Sequence, residues 1–401
     1  MISLEEAKER LLASIKPLGA EETQLEQALG RFAAEPHFSK LDLPRFDNSA
    51  MDGYAVRSED LKQANQATPV DLKLIGRIGA GEIFGGVISP GTCLRLFTGS
   101  VLPEGADAVV MQEDVWAENG TVRFVDSVKP LENVRLLGED IRSGAQLLAA
   151  GERLTATHLA LLAATGFGKA TVRKPPAVAL IATGDELVEP GHPLGPGKIY
   201  ESNRTLLAGL LRGIGIQPTI IPLVPDDLEA TIAIMRNAFA THEVVITTGG
   251  VSVGEFDFVK EAFTRIGGLI DHWKVAIRPG KPFVFGTLDS KFLFGLPGNP
   301  VSALVTFLVL VRPALLKWMG AAAVELPRLS SLLGGSISNP GDRRHFVRCQ
   351  WTHGKVQVLG RQASHMLGAL GAANCLLDVP PATRWDAGQE VTVQLWELPI
   401  S

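Results

Sequence analysis

The run Val178-Ala179-Leu180-Ile181-Ala182 constrains this chain more than any other segment. Five consecutive apolar residues suit a strand covered on both faces, not one that alternates between core and water. The run stops at the polar turn Thr183-Gly184-Asp185-Glu186. Helical spacing follows from Asn203 to Leu211, then an extended stretch from Thr219 to Val224. A second apolar run, Val244 to Thr247, ends in Thr248-Gly249-Gly250. Strands alternating with helices predict a parallel sheet wound by crossovers. Lys174-Pro175-Pro176, just ahead of it, reads as a linker.

The rest of the chain reads differently. Ser3 and Glu6 form a capping-box pattern before Leu4, Ala7, Leu11, Leu12 and Ile15. A second helical pattern covers Leu25 to Phe32, and a third Thr155 to Thr165 with Gly166 as its C-cap. Between them, residues 45–135 are rich in glycine and carry short alternating runs such as Thr92-Cys93-Leu94-Arg95-Leu96. This predicts a turn-dense β domain inserted into a helical one. Alternation returns late in the chain, at His345-Phe346-Val347-Arg348, Lys355-Val356-Gln357-Val358 and Glu390-Val391-Thr392-Val393-Gln394. That predicts a small all-β domain. The resulting division is a helical domain at 1–44 and 136–173, a β-rich insert at 45–135, an α/β domain at 174–322 and a β domain at 323–401. The length of 401 residues accommodates such a count.

Several function classes are excluded. A net charge of -5 and a pI near 6.0 give no electrostatic footprint for nucleic acid or anionic lipid. Cys93, Cys349 and Cys375 form neither a disulfide framework nor a CxxC pair, which favours a reducing compartment. The acidic start Met1-Ile2-Ser3-Leu4-Glu5-Glu6 lacks the pattern of a signal peptide. The apolar run Val301 to Val311 is interrupted by Ser302 and Thr306 and stopped by Arg312-Pro313, so it reads as a buried helix. A cytoplasmic protein is expected.

In open α/β sheets, ligands sit beyond the carboxyl ends of the strands. Three loops have that form: Thr183-Gly184-Asp185-Glu186, the stretch Thr248-Gly249-Gly250-Val251-Ser252-Val253-Gly254, and Gly295-Leu296-Pro297-Gly298-Asn299-Pro300-Val301-Ser302. Each alone is a generic turn; three in one unit point to a phosphate-bearing ligand. Between the last two lie Lys274, Arg278 and Lys281, either guards of a strand edge or a clamp on a pyrophosphate or oxyanion. Asp52, Asp140, Glu186, Asp226 and Asp257 also fall in loops. Such hard oxygen donors suit Mg²⁺ bridging carboxylates and substrate phosphates; helix capping or solvation is the alternative and accounts for Asp227. The histidines have no metal-ligand spacing, and His242 and His272 read as packing or surface residues.

Several of these segments together resemble the molybdopterin molybdenumtransferase family, which includes bacterial MoeA and the E domain of gephyrin. The most specific is Asp47-Asn48-Ser49-Ala50-Met51-Asp52-Gly53-Tyr54-Ala55-Val56. Thr98-Gly99, Pro103-Glu104-Gly105-Ala106-Asp107-Ala108-Val109-Val110, Gly138-Glu139-Asp140-Ile141, the stretch Lys274 to Pro282 and the loops above extend the likeness over almost the whole chain. The resemblance implies a multidomain α/β plus β fold: an elongated helical domain, its inserted β domain, a molybdopterin-binding α/β domain with a parallel sheet, and a C-terminal small β barrel. It also implies a homodimer with the active site in a cleft between subunits. The implied reaction takes adenylylated molybdopterin and molybdate to molybdenum cofactor and AMP with Mg²⁺ as cofactor, and the molybdopterin adenylyltransferase is an implied partner.

Transferred residue by residue, the resemblance makes Asp52, Asp140, Glu186, Asp226 and Asp257 catalytic, with Glu186, Asp226 and Asp257 on the metal. Thr98, Arg135, Gly249, Gly250, Ser252, Lys274, Arg278, Lys281, Pro297, Pro300 and Ser364 bind substrate or anion, and Arg348 is a further barrel candidate. Arg278 stands where the family commonly has lysine, and Gly368 to Cys375 is a loose version of the family's barrel motif. A molybdopterin adenylyltransferase, a non-catalytic molybdopterin-binding scaffold or chaperone, and a tungsten-loading paralogue are the competing readings.

Overall fold

The computed structural model describes residues 1–250 and 258–397. Helix α1 (Leu4–Ala13) begins where Ser3 Oγ accepts the Glu6 N–H at 3.0 Å. Its buried stripe of Leu4, Ala7 and Leu11 joins the core of the α/β unit. Strands β1 (Ala20–Gln24), β2 (His37–Phe38) and β3 (Asn48–Ser49) lead outward to a six-stranded sheet. That sheet comprises β4 (Gly53–Val56), β5 (Val70–Ile78), β6 (Thr92–Leu96), β7 (Ala108–Met111), β8 (Val115–Glu118) and β9 (Thr121–Phe124), in the order β7-β4-β6-β5-β9-β8. The chain returns through β10 (Val134–Arg135) and β11 (Gln146–Leu148). Because β10 pairs with β3, Ile141 with Leu43 and β11 with β2, the two limbs form an antiparallel ribbon that carries the inserted sheet. Helix α2 (Ala156–Ala164) follows, with a capping box at Thr155 and His158. At its end Gly166 N–H bonds Ala163 O and Phe167 N–H bonds Leu162 O, a Schellman closure. Strand β12 (Lys169–Arg173) then pairs with β1.

The elongated helical domain expected over 1–44 and 136–173 is therefore not helical in the main. Among its described residues, α2 is the α-helix, the paired strands β1, β2, β11 and β12 joined by turns and irregular chain make up the rest, and α1 packs elsewhere. Leu25 to Phe32, expected as helix, forms only a 3₁₀ turn at Leu25–Gln27. Gly30 then turns at φ 76°. The following backbone bonds across the limbs: Gly30 N–H to Leu154 O, Ala33 N–H to Glu152 O, Ala34 N–H to Thr171 O. Cross-chain pairing satisfies those groups and overrides the local periodicity.

The α/β unit starts at β13 (Val178–Ala182), buried at all five positions. A short parallel pair, β14 (Leu187–Val188) and β15 (Ile199–Tyr200), precedes α3 (Asn203–Gly213). Then come β16 (Thr219–Ile220), α4 (Leu228–Thr241), β17 (Val244–Thr248), α5 (Phe258–Arg265), β18 (Leu269–Lys274), β19 (Ile277–Arg278), β20 (Pro282–Leu288) and β21 (Lys291–Leu296). The sheet order is β16-β13-β17-β21-β20-β18, parallel from β16 to β21 and antiparallel beyond. The strand expected from Thr219 to Val224 pairs only over β16 and again at Val224, since Pro222 has no N–H to give a ladder. Val178 and Leu180 face the core shared with α3 and α1, while Ala179 and Ile181 face α4 and α5. Helices α6 (Pro300–Thr306) and α7 (Arg312–Trp318) flank a π-helical turn at Phe307–Val311. The resulting helix, Pro300–Trp318, is long and apolar enough to span a membrane by composition, but 89% of its apolar window is buried in the protein. It is a core helix, as its sequence suggested.

The C-terminal strands are β22 (Arg328–Leu333), β23 (Ile337–Asn339), β24 (Arg344–Thr352), β25 (Lys355–Val358), β26 (Cys375–Val379), β27 (Thr383–Trp385) and β28 (Glu390–Leu395). The order β24-β25-β22-β28-β26, with β26 pairing back onto β24, closes a five-stranded barrel. Leu333, Val347, Cys349, Val356, Cys375, Leu377 and Val393 fill it. Cys93, Cys349 and Cys375 are buried and unpaired, and burial pushes the thiols of Cys93 and Cys375 up to about 12. They are packing residues. Strand β19 runs parallel to β24 and so joins the barrel to the α/β unit.

Leu180 is fully buried in the central strand. Leu180→Ala should lower the free energy of unfolding by about 3 kcal/mol, the transfer loss plus the cavity left behind, read as a shift in the urea midpoint.

Candidate active site

The register of the parallel strands brings the loops together. Ala182 is opposite Thr248, and Thr248 is opposite Leu296, so β13, β17 and β21 end level with one another. After β13 the chain crosses to β16 on one side; after β16 it crosses back to β17 on the other. The crevice between β13 and β17 is thus a topological switch point, where ligands of such sheets bind. The bridge from Thr183 to Val224 lays Asp226 against the loop after β13.

At that point Asp185 and Asp226 hold one another. The Asp185 N–H donates to Asp226 Oδ2 at 3.3 Å, and the Asp226 N–H donates to Asp185 Oδ1 at 3.1 Å. Each carboxylate keeps one oxygen outside this exchange. Lys198 Nζ donates to Asp185 O at 2.6 Å, and Glu186 is exposed beside them. Asp227 caps α4, its side chain accepting the Ala230 N–H at 2.7 Å.

Next along the edge are Gly249 and Gly250, at φ 83° and 64°. A Cβ on Gly249 would lie 2.9 Å from Thr183 O, and one on Gly250 2.6 Å from Val259 Cγ2. Only glycine lets the backbone pass this close in the left-handed region. Pro297 is buried, Pro300 opens α6, and Asn203 Nδ2 donates to Gly298 O at 2.7 Å. Asn203 Oδ1 and Thr247 Oγ1 are buried and have no hydrogen-bond partner among the described residues. Ser364 reaches this loop from the barrel: its carbonyl accepts the Val301 N–H at 3.2 Å.

The cations complete the same edge. Val284 is opposite Gly295 and Lys274 is opposite Pro282, so the turn from β18 to β20 emerges where β21 ends. Lys274, Arg278 and Lys281 are all exposed there. The edge is consequently polarised, with carboxylates at the β16–β13 end, glycine and proline loops in the middle, and cations at the β20–β18 end. From β13 to β20 is three strand spacings, roughly 14 Å.

The remaining candidates lie on the inserted sheet and its ribbon. Asp52 Oδ1 accepts both the N–H and the hydroxyl of Thr98 at 2.8 Å. These two bonds, the backbone one foremost, and the nearby charge of Arg95 hold the Asp52 carboxyl below the usual carboxylate range. Arg135 is exposed in β10, and Asp140 is exposed where the ribbon passes Leu43. No hydrogen bond among the described residues joins this group to the sheet edge. Ser252 and Asp257 lie outside the described residues, and the described ones contain no cluster of three metal-ligating side chains.

Arg348 departs from its expected role as a cleft cation. It is fully buried, its Nε donating to Gln362 Oε1 and its Nη groups to the carbonyls of Arg361, Ala363 and Met366. Its donors anchor the 361–366 loop that carries Ser364. Sequence reasoning passed over Asp185, Asn203 and Arg204. Asp185 stands beside Glu186 in the loop after β13, but an exchange of N–H bonds with Asp226 has no local signature.

The sequence matches three family descriptions: MoeA N-terminal region (domain I and II) over residues 2–166, probable molybdopterin binding domain over 179–317, and MoeA C-terminal region (domain IV) over 332–396. A protein of Haemophilus influenzae named molybdopterin molybdenumtransferase is 38% identical over 98% of both chains. One of Staphylococcus epidermidis with the same name is 36% identical over 99% of this chain and 96% of its own. Among solved structures, a molybdopterin biosynthesis MoeA protein from Pyrococcus horikosii superposes with a TM-score of 0.84 at 34% identity, covering 99% of each chain.

His345 lies behind the cationic edge, 7% exposed. Burial, and then the charges of Arg278, Arg348 and Arg343, push its imidazole down from 6.5 to about 4. The unfolded chain therefore binds this proton between pH 6.5 and 4 while the folded chain does not. Stability from this group is complete above pH 6.5 and is lost as pH falls towards 4. His345→Gln should abolish this contribution, up to about 2 kcal/mol between pH 7 and pH 5, measured by urea unfolding at the two pH values.

Proposed function

The chain belongs to the molybdopterin molybdenumtransferase family, and on that premise we propose that it inserts molybdenum from molybdate into adenylylated molybdopterin, releasing AMP. The observation that carries the reading is the charge-polarised edge at the switch point of the parallel sheet. One ligand end must be a phosphoanhydride and the other a site for a tetrahedral dianion, and the two ends of this edge suit those two demands.

Lys274, Arg278 and Lys281 supply charge and N–H donors for molybdate at the β20–β18 end. Gly249 and Gly250 bring main chain close to the ligand without a side chain between them. Ser364 and Pro300 shape the wall contributed by the barrel and α6. At the other end, the free oxygens of Asp185 and Asp226, with Glu186 nearby, fit a Mg²⁺ site completed by substrate phosphate oxygens and water. Magnesium uses one or two carboxylates in this way in place of a full protein cage. Bound there, Mg²⁺ would neutralise charge on the phosphoanhydride. Asp257 belongs to the same proposal.

Among the described residues, the Asp52 and Thr98 pair, with Arg135 and Asp140, has no hydrogen bond to the sheet edge of its own chain. We assign it to the corresponding edge of a second protomer, in a cytoplasmic homodimer whose sites each draw on both chains. The substrate would come from a molybdopterin adenylyltransferase.

The test is AMP release and cofactor formation from adenylylated molybdopterin, molybdate and Mg²⁺. Asp226→Asn should lower turnover by about 100-fold and raise the Mg²⁺ requirement. Asp52→Asn should lower turnover comparably. Mixing the two inactive variants under subunit exchange should restore about a quarter of parental activity, because half the dimers then carry one intact composite site. ATP consumption in place of AMP release would point to an adenylyltransferase, and binding without turnover to a scaffold. No recovery on mixing would remove the composite site.

A further inference from the structure

We propose that Arg204 is a positioning residue that sets the distance between the two carboxylate-bearing segments of the site. The proposal deepens the reading above and rests on it.

Arg204 is 2% exposed at the start of α3. Its Nε donates to Glu201 Oε2 at 3.0 Å, one Nη to Glu189 Oε1 at 2.8 Å, and the other Nη to the carbonyl of Ile221. The Glu201 carboxylate is 3% exposed and also takes the Arg204 N–H at 2.9 Å, so it caps the helix that Ser202 leaves uncapped. The three targets belong to three different segments. Glu189 follows Glu186 on the 184–200 segment; Ile221 leads to Asp226; Glu201 fixes the helix end. Asn203, the preceding residue, holds Gly298 in the loop after β21. One helix end therefore ties down the segments after β13 and β16 and the loop after β21.

The chemistry of the group favours this role over a plain contribution to stability. A guanidinium is planar, with five N–H donors at fixed angles, so its partners are fixed relative to one another. A buried ion pair adds little net stability over an apolar substitute, because desolvating the charges offsets their attraction. Its consequence here is geometric. The Asp185–Asp226 exchange holds the start of the 184–200 segment, but the remainder is loosely held: β14 and β15 are short, and Leu194, Ile199 and Tyr200 are exposed. Glu189 is 43% exposed at its side chain, so replacing it removes one arm of the clamp without opening the core.

The experiment compares Glu189→Gln and Arg204→Lys with Glu186→Gln in the full chain. Hydrogen exchange of the 184–200 amides, Mn²⁺ affinity by calorimetry, thermal midpoint and AMP release are followed together. We expect Glu189→Gln to speed exchange at Leu187, Ile199 and Glu201, to weaken Mn²⁺ binding and turnover by about 10-fold, and to leave the thermal midpoint within a few degrees. Arg204→Lys should do more of the same, since the three donors of an ammonium radiate from one nitrogen and cannot span partners that the guanidinium reaches from three. Parental exchange and Mn²⁺ affinity in Glu189→Gln, with Glu186→Gln impaired, would overturn the clamp and leave the site standing. Loss of turnover that only tracks a collapsed thermal midpoint would also overturn it. Parental turnover in Glu186→Gln would instead remove the site on which the clamp rests.

Discussion

The level ends of β13, β17 and β21 are the constraint on which the rest of this structure depends. Parallel pairing with Ala182 opposite Thr248, and Thr248 opposite Leu296, forces three loops to leave the sheet side by side. Such a register is secured by burial on both faces. Val178 and Leu180 are committed to one core and Ala179 and Ile181 to the other, so a slip of one residue would exchange every side chain between them. The chemistry at the edge is thereby placed by apolar residues that never meet a ligand.

Around that edge, the other units act as supports. The barrel is attached through β19 and through the 361–366 loop, which Arg348 fastens from within and whose Ser364 meets α6. Arg204 does the comparable work on the opposite side, joining the 184–200 segment to the approach to Asp226. In both cases a buried arginine directs its donors to backbone, amide or carboxylate oxygens and so orders a loop. Neither charge is available to an incoming anion, unlike those of Lys274, Arg278 and Lys281, which stay exposed. Burial thus separates two uses of the same side-chain type.

Much of the α/β unit was legible in the chain. Runs of apolar residues marked β13 and β17, Pro300 marked the start of α6, and alternation marked β24, β25 and β28. The region from Leu25 to Phe32 was not legible, because its apolar spacing is compatible with a helix. Its backbone instead finds partners about 120 to 140 residues away, at Leu154, Gly168 and Arg173. The same limit hid Asp185 and Arg204. Their roles come from an exchange of N–H bonds and a buried three-way contact between segments that no local pattern connects.

By itself, the sequence determined the family, the residue types at the site and the elements that carry them, because these depend on composition, periodicity and motifs read within short windows. Tertiary structure decided how those residues are divided. It set carboxylates at one end of the sheet edge and cations at the other, turned Arg348 from a candidate ligand cation into a buried anchor, and left Asp52 bonded to Thr98 on a separate sheet. The physical reason is that strand order and burial are long-range outcomes. A side chain's neighbours across a sheet are fixed by register, and its access to solvent by what packs over it; neither is encoded in the residues beside it.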